Sequence, residues 1–155
     1  MVIDILQIKE QKENMININD GGRSNAGYQG KAGDCVCRAL SIAMGEDYQK
    51  IYHELSVLNQ NMGGCKTARN GIFTKSKMFK EYMNKKGWEW TATMMVGQGC
   101  KVHLRADELP KGRIVCAVSK HYVAVIDGVV HDNHDSTRGG RRCVYGYWKQ
   151  RINIS

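Results

Sequence analysis

Apolar residues fall at helical spacing in the first half of the chain and in β-like runs in the second. Ile51, Tyr52, Leu55 and Leu58 share one face of a helix predicted over 48–59, with Asp47 as its cap. Met78, Phe79, Tyr82 and Met83 do the same for a helix over 75–86 that Gly87 ends. Between Asp34, a candidate N-cap, and Gly45 lies the apolar, alanine-containing stretch CVCRALSIAM, which predicts a short buried helix. Beyond residue 87 the pattern becomes β-like, with strands expected over 88–95, 113–118, 121–126, 129–133 and 143–148. Residues 3–18 place Ile3, Ile5, Leu6 and Ile8 before a polar stretch, and Ile16 and Ile18 after it, as a strand or an ordered arm would. Residues 19–33 read as a loop rich in Gly, Asn and Ser, and 61–71 as a long connection or a lid. Helices followed by antiparallel strands imply an α+β domain over 1–155. Its parts are an arm and glycine-rich loop to residue 33, a helical half over 34–87 and a sheet half over 88–155.

Composition narrows the class. The 155 residues, 42% hydrophobic and 25% charged, suit one globular domain and exclude disorder, collagen and coiled coil. No apolar run approaches the roughly 18–20 residues that a membrane span needs, so no membrane partner is expected. The net charge of +8, 23 basic against 15 acidic residues, concentrates over 66–86 and after Asp135. It favours contact with polyanions without fixing a function, which leaves nucleic acid a secondary expectation. The six cysteines (35, 37, 65, 100, 116 and 143) form an even count that invites disulfides. Against this, residues 1–10 carry Asp4, Lys9 and Glu10 and lack the basic start and apolar stretch of a secretory signal. The expectation is a cytoplasmic chain whose cysteines are thiols.

Candidate chemistry begins at Asp127-Gly128, which separates HYVAVI from VVHDN. An Asp-Gly pair between β-branched runs predicts a two-residue hairpin, because a type I′ turn needs positive φ at both central positions. Ile126 then lies opposite Val129, and alternation puts His121, Val123 and Asp132 on one face, with His121 and Asp132 as diagonal neighbours. A slip of one residue would separate them. A carboxylate-steered imidazole is half of a nucleophilic site, and Cys35 is the candidate nucleophile: a helix's first turn favours thiolate over thiol. Cys37, two residues on, reads as a packed thiol. Gln29, six residues before Cys35, is the candidate oxyanion partner together with the Cys35 backbone N–H. Asn133 is the fallback for orienting His121.

The order Gln29, Cys35, His121, Asp132 resembles the papain-like cysteine peptidase fold. Within it, QGKAGDC and HYVAVIDG are most similar to the peptidase domains that trim bacteriocin leaders, although Val36 stands where those domains usually have glycine. From Gly33 onward, GDCVCRAL, GWEWTAT, HLRADELP, HYVAVIDGVVHDNHD and VYGYW resemble a family of small phage-encoded proteins, over roughly four-fifths of the chain. The resemblance implies a cysteine peptidase or isopeptidase acting on a polypeptide, with Cys35, His121 and Asp132 as triad and no cofactor. Two alternatives share the sequence: an acyl-transfer enzyme of transglutaminase or deamidase type, and a non-enzymatic phage protein that binds a host protein or nucleic acid.

Other patterns carry less. His131 and His134 have metal-like spacing but point to opposite faces if they lie on a strand, and no CxxC supports zinc, so no metal is expected. Arg38 and Arg105 read as structural ion-pair partners, and Asp107 as the cap of a short turn. Trp88, Trp90, Trp148, Tyr145 and Tyr147 read as core and cleft walls rather than as a base-stacking platform.

Overall fold

The computed structural model describes residues 16–28 and 33–151. In chain order the elements are β1 (Ile16–Ile18), α1 (Cys35–Met44), α2 (Tyr48–Asn61), α3 (Lys77–Lys85), β2 (Trp88–Ala92), β3 (Arg113–Val118), β4 (His121–Ile126), β5 (Val129–Asp132) and β6 (Gly146–Gln150). The fold is α+β, with three helices and a six-stranded sheet of order β1-β5-β4-β3-β6-β2 among the described residues. The expected all-antiparallel sheet is corrected at one edge. β1 runs parallel to β5, with Ile16 opposite Val130 and Ile18 opposite Asp132, so the sheet is mixed.

β3 and β4 lie at the centre and are buried on both faces, which is why IVCAV and YVAV read as near-continuous apolar runs. Val115, Ala117, Tyr122, Ala124 and Trp148 pack against Leu40, Tyr48, Ile51, Leu55, Phe79 and Met83 of the helices. On the opposite face Ile114, Cys116, Val118, Val123, Val125 and Val130 pack beneath Leu104, Leu109 and Val144.

The helix termini follow local chemistry. Gly45, in the left-handed region at φ 66°, closes α1 by donating its N–H to the Ile42 and Ser41 carbonyls. Asp47 caps α2 by accepting from the Lys50 N–H. α3 starts two residues later than expected because Ser76 is its cap, accepting from the Phe79 N–H at 3.1 Å. The predicted strand 143–148 is displaced to Gly146–Gln150. Cys143 instead bridges to His103, and the Val144 N–H donates to the Val102 carbonyl at 2.8 Å. Trp90 lies across β6 at Gly146, where any side chain would overlap the indole ring.

The pairing of 102–104 with 142–144 also corrects the expectation of six thiols. Cys100 and Cys143 form a disulfide with Cα atoms 5.8 Å apart, while Cys35, Cys37, Cys65 and Cys116 are free. Closing a separation of 43 residues limits the unfolded chain. On the loop-entropy account the bridge contributes up to about 4 kcal/mol. Urea unfolding with and without reductant is expected to differ by about 3–4 kcal/mol. Coincident curves would show that the bridge adds nothing.

Candidate active site

His121 opens β4 and Asp132 closes β5, so the hairpin brings both to the same end of the sheet. The Asp127-Gly128 turn has φ of 49° and 81°, and Ile126 pairs with Val129 and Ala124 with His131, the register the sequence predicts. His121 Nε2 lies 2.6 Å from Asp132 Oδ2. With Nε2 held by the carboxylate, Nδ1 is the ring nitrogen left for another partner.

That partner is Cys35, the first residue of α1. Burial works to raise the Cys35 pKa, but the hydrogen bond with His121, the Tyr122 backbone N–H and the charges of His121 and Arg38 together bring it below the ordinary thiol value. The reciprocal effect acts on the ring. Burial works to lower the His121 pKa, yet the bonds and charges of Asp132 and Cys35 raise it to about 9. Asp132 is itself buried, which acts to raise its pKa, and the bond and charge of His121 hold it below the usual carboxylate range. The shifts of all three groups run toward their charged forms: thiolate, imidazolium and carboxylate.

Asp34 supports this line from behind α1. It occupies the N-cap position but makes no side-chain cap bond, which corrects its expected role. Its carboxylate instead accepts from Arg38 and from the Tyr48 hydroxyl, and pairs with Arg23 Nε at 3.2 Å. Arg38 Nη2 in turn lies 3.7 Å from Asp132 Oδ1, as its ion-pair reading anticipates. Burial and the Asp34 carboxylate push the Tyr48 pKa far above the ordinary phenol value, so Tyr48 remains a donor. Because the Asp34 carboxylate turns inward, the first-turn N–H groups of α1, including that of Cys35, receive no side-chain acceptor from the cap.

The remaining candidates separate clearly. Gln29 lies outside the described residues. Asn133 is exposed, and its Oδ1 meets His134 Nδ1 at 2.5 Å, so the orienting group for His121 is Asp132. Cys37 is buried, its thiol donates to the Tyr48 carbonyl at 3.7 Å, and burial pushes its pKa up to about 12. Cys116, in the sheet core, is likewise held as a thiol by burial. Arg105 pairs with Asp107 and Glu108, and Asp107 is exposed in that pair. Trp88 and Trp148 are buried, whereas Trp90 and Tyr145 line the cleft.

The sequence offers His134 only as half of a metal-like pair with His131, and the structure instead places it beside His121 and Asp132. His131 faces Asn17 at 3.1 Å, as the opposite-face expectation requires, while His134 turns toward the site. One ligand atom from each of His121, Asp132 and His134 lies within 4.8 Å of the others. The trio has donors that suit a divalent cation, although the 2.6 Å contact already occupies His121 Nε2 with Asp132.

Cys35 and His121 open into a cleft of about 1720 Å³. Its lining comes from residues 70–77 and Lys80, from the ends of β3 and β4, and from Trp90, Tyr145 and Trp148. The strand spacing that sets Trp90 over Gly146 therefore also shapes the cleft wall. No helix among the described residues is long and apolar enough to cross a membrane. Comparison with protein-family models, curated proteins and solved structures gives no match for this chain.

Proposed function

We propose that this chain is a cysteine peptidase or isopeptidase of papain-like arrangement, acting on an amide of a polypeptide. The observation that carries the reading is that His121 is held by buried Asp132 through one ring nitrogen while it lines the same cleft as Cys35, the first residue of α1, and each of the two shifts the other's pKa toward its charged form. The likeness to phage-encoded proteins and to leader-trimming peptidase domains supports it from the sequence side.

In the proposed reaction the Cys35 thiolate attacks the acyl carbon, and the carbonyl π pair moves to oxygen. The Cys35 N–H, at the open end of α1, donates to that oxyanion, with Gln29 the second donor suggested by the sequence. As the tetrahedral species collapses, His121 gives its Nδ1 proton to the departing amine, leaving an acyl-thioester. Neutral His121 then takes a proton from water, hydroxide adds to the thioester carbon, and the carboxylic acid leaves as the thiolate–imidazolium pair re-forms. Asp132 fixes the ring tautomer and stabilises its charge throughout.

This pairing sets a pH window. Below the lowered pKa of Cys35 the sulfur is protonated and inert; above about 9 the imidazolium is lost. Alkylation of Cys35 by iodoacetamide needs only thiolate, so its rate is expected to rise at a pH below the ~8.5 of a free thiol and to stay high through pH 9. Peptide cleavage also needs the acid, so it is expected to fall above about pH 9. Site-resolved alkylation across pH 4–10 makes the test. A Cys35 that titrates as a free thiol would sink the peptidase reading.

A further inference from the structure

We propose that the polypeptide segment admitted to the cleft is acidic, its carboxylates meeting Lys75, Lys80 and Lys120 while a bulky apolar side chain rests on Phe73, Trp90 and Tyr145. This deepens the proposed function and rests on it.

The charge of the cleft is one-sided. Among the described residues that line it, Asp34 is the one acidic residue, and it is 1% exposed and already committed to Arg23, Arg38 and Tyr48. Lys75, Lys77, Lys80 and Lys120 also line the cleft, and all four are exposed. Lys77 meets Glu81 at 4.0 Å, whereas the other three make no ion pair with any described residue.

Their positions put this charge on the wall of the cleft that also holds the Cys35 sulfur. Lys120, at φ 54° in the β3–β4 turn, immediately precedes His121. Lys75 and Thr74 line the cleft together with Tyr122, the residue after His121. Lys80 stands one turn into α3, behind the Ser76 cap. Uncompensated cations in a concave, partly apolar wall attract carboxylates, raise encounter rates and disfavour basic segments. The wall also carries apolar anchors: Phe73, Trp90 and Tyr145 are 64%, 37% and 40% exposed.

Lysines and aromatic rings also suit single-stranded nucleic acid. Two features favour the polypeptide. A nucleic-acid strand offers no acyl carbon to a thiolate of this kind, and the lysines gather near one end of a helix and one turn rather than tracking a line of phosphates.

The experiment uses the full chain carrying Cys65→Ser, which removes an exposed thiol that also lines the cleft. Three acyloxymethyl-ketone peptides of one length share a leucine beside the warhead and differ in having Glu, Gln or Lys at the flanking positions. The rate of Cys35 labelling is expected to follow Glu > Gln > Lys, with a span of about tenfold at low salt that shrinks severalfold in 0.5 M NaCl. Lys75→Gln/Lys80→Gln/Lys120→Gln is expected to flatten the order, and the corresponding triple Glu variant to invert it. Equal rates for the three labels, or an order that neither triple variant changes, would overturn the acidic preference. So would a single-stranded oligonucleotide that protects Cys35 from labelling better than polyglutamate of equal charge. Iodoacetamide alkylation of the same Cys65→Ser protein separates the two levels: a low-pH thiolate with no charge preference refutes this inference alone, and a free-thiol titration refutes the peptidase reading beneath it.

Discussion

Replacing His121 by alanine is expected to cut the reaction of Cys35 with a peptidyl affinity label or peptide substrate by on the order of 10³–10⁴. Two losses combine. Cys35 is half-buried, and without the imidazolium its main stabilising partner is lost while burial still raises its pKa, so the thiolate fraction at neutral pH falls. The leaving amine also loses its acid. Cys35→Ala should leave only background, and the double variant should be no worse than either single one, because the two groups act as a unit. Asp132→Asn differs in kind: it retains an oxygen that can face Nε2 but removes a charge that raises the His121 pKa. Its high-pH limb is expected to move down from about 9, with a smaller loss at the optimum. Circular dichroism of each variant separates lost chemistry from lost fold. A His121→Ala protein that labels at the parent rate would falsify the paired site.

The second large effect is on stability. Asp34→Ala removes the acceptor shared by Arg38, Tyr48 and Arg23. Arg38 is 7% exposed and would keep only the 3.7 Å contact with Asp132, and the Tyr48 hydroxyl would be buried without its acceptor. Breaking a buried pair from one side costs about 3–5 kcal/mol, and an orphaned hydroxyl about 1–3 kcal/mol more, against a total stability of about 5–15 kcal/mol for a domain. Urea denaturation should therefore show a protein close to unfolding in water. Asp34→Asn keeps the shape and some of the hydrogen bonding and should lie between the two. A loss under about 1 kcal/mol for Asp34→Ala would mean that the carboxylate is not what organises this end of α1.

How far these sites were legible depends on how local their cause is. The His121–Asp132 contact follows from two turn residues that set a register and from a two-residue period, both visible in HYVAVIDGVVHD. The start of α1 at Cys35 follows from an apolar run after an Asx-type residue. Asp34 illustrates the boundary: its place at the helix start was readable, but its bonds were not. They depend on Arg23 and Tyr48, brought together by the packing of α2 and the loop before α1. The pairing of Ile16–Ile18 with β5 had little signal, since two of its three residues are exposed and any short apolar segment could serve. The Cys100–Cys143 bridge contradicts the expectation of thiols drawn from the lack of a secretory pattern in residues 1–10: compartment says nothing of geometry, and it is the contact between 102–104 and 142–144 that brings these two sulfurs together. The place of His134 beside His121 and Asp132 was not legible because its turn toward the site follows the end of β5, where strand alternation no longer applies.

β1 has a practical consequence at the other edge of the sheet. Ile18 pairs with Asp132, and the Asn19 N–H donates to the Asp132 carbonyl at 2.8 Å. The main chain of the residue that steers His121 is thus stitched to a short ribbon far upstream in sequence. Clipping the polypeptide between Asn19 and Cys35 would remove no atom of Cys35, His121 or Asp132 but would let the β1 fragment dissociate, so nicked preparations that lose it should show a less ordered imidazole and a sulfur that titrates more like an ordinary mercaptan.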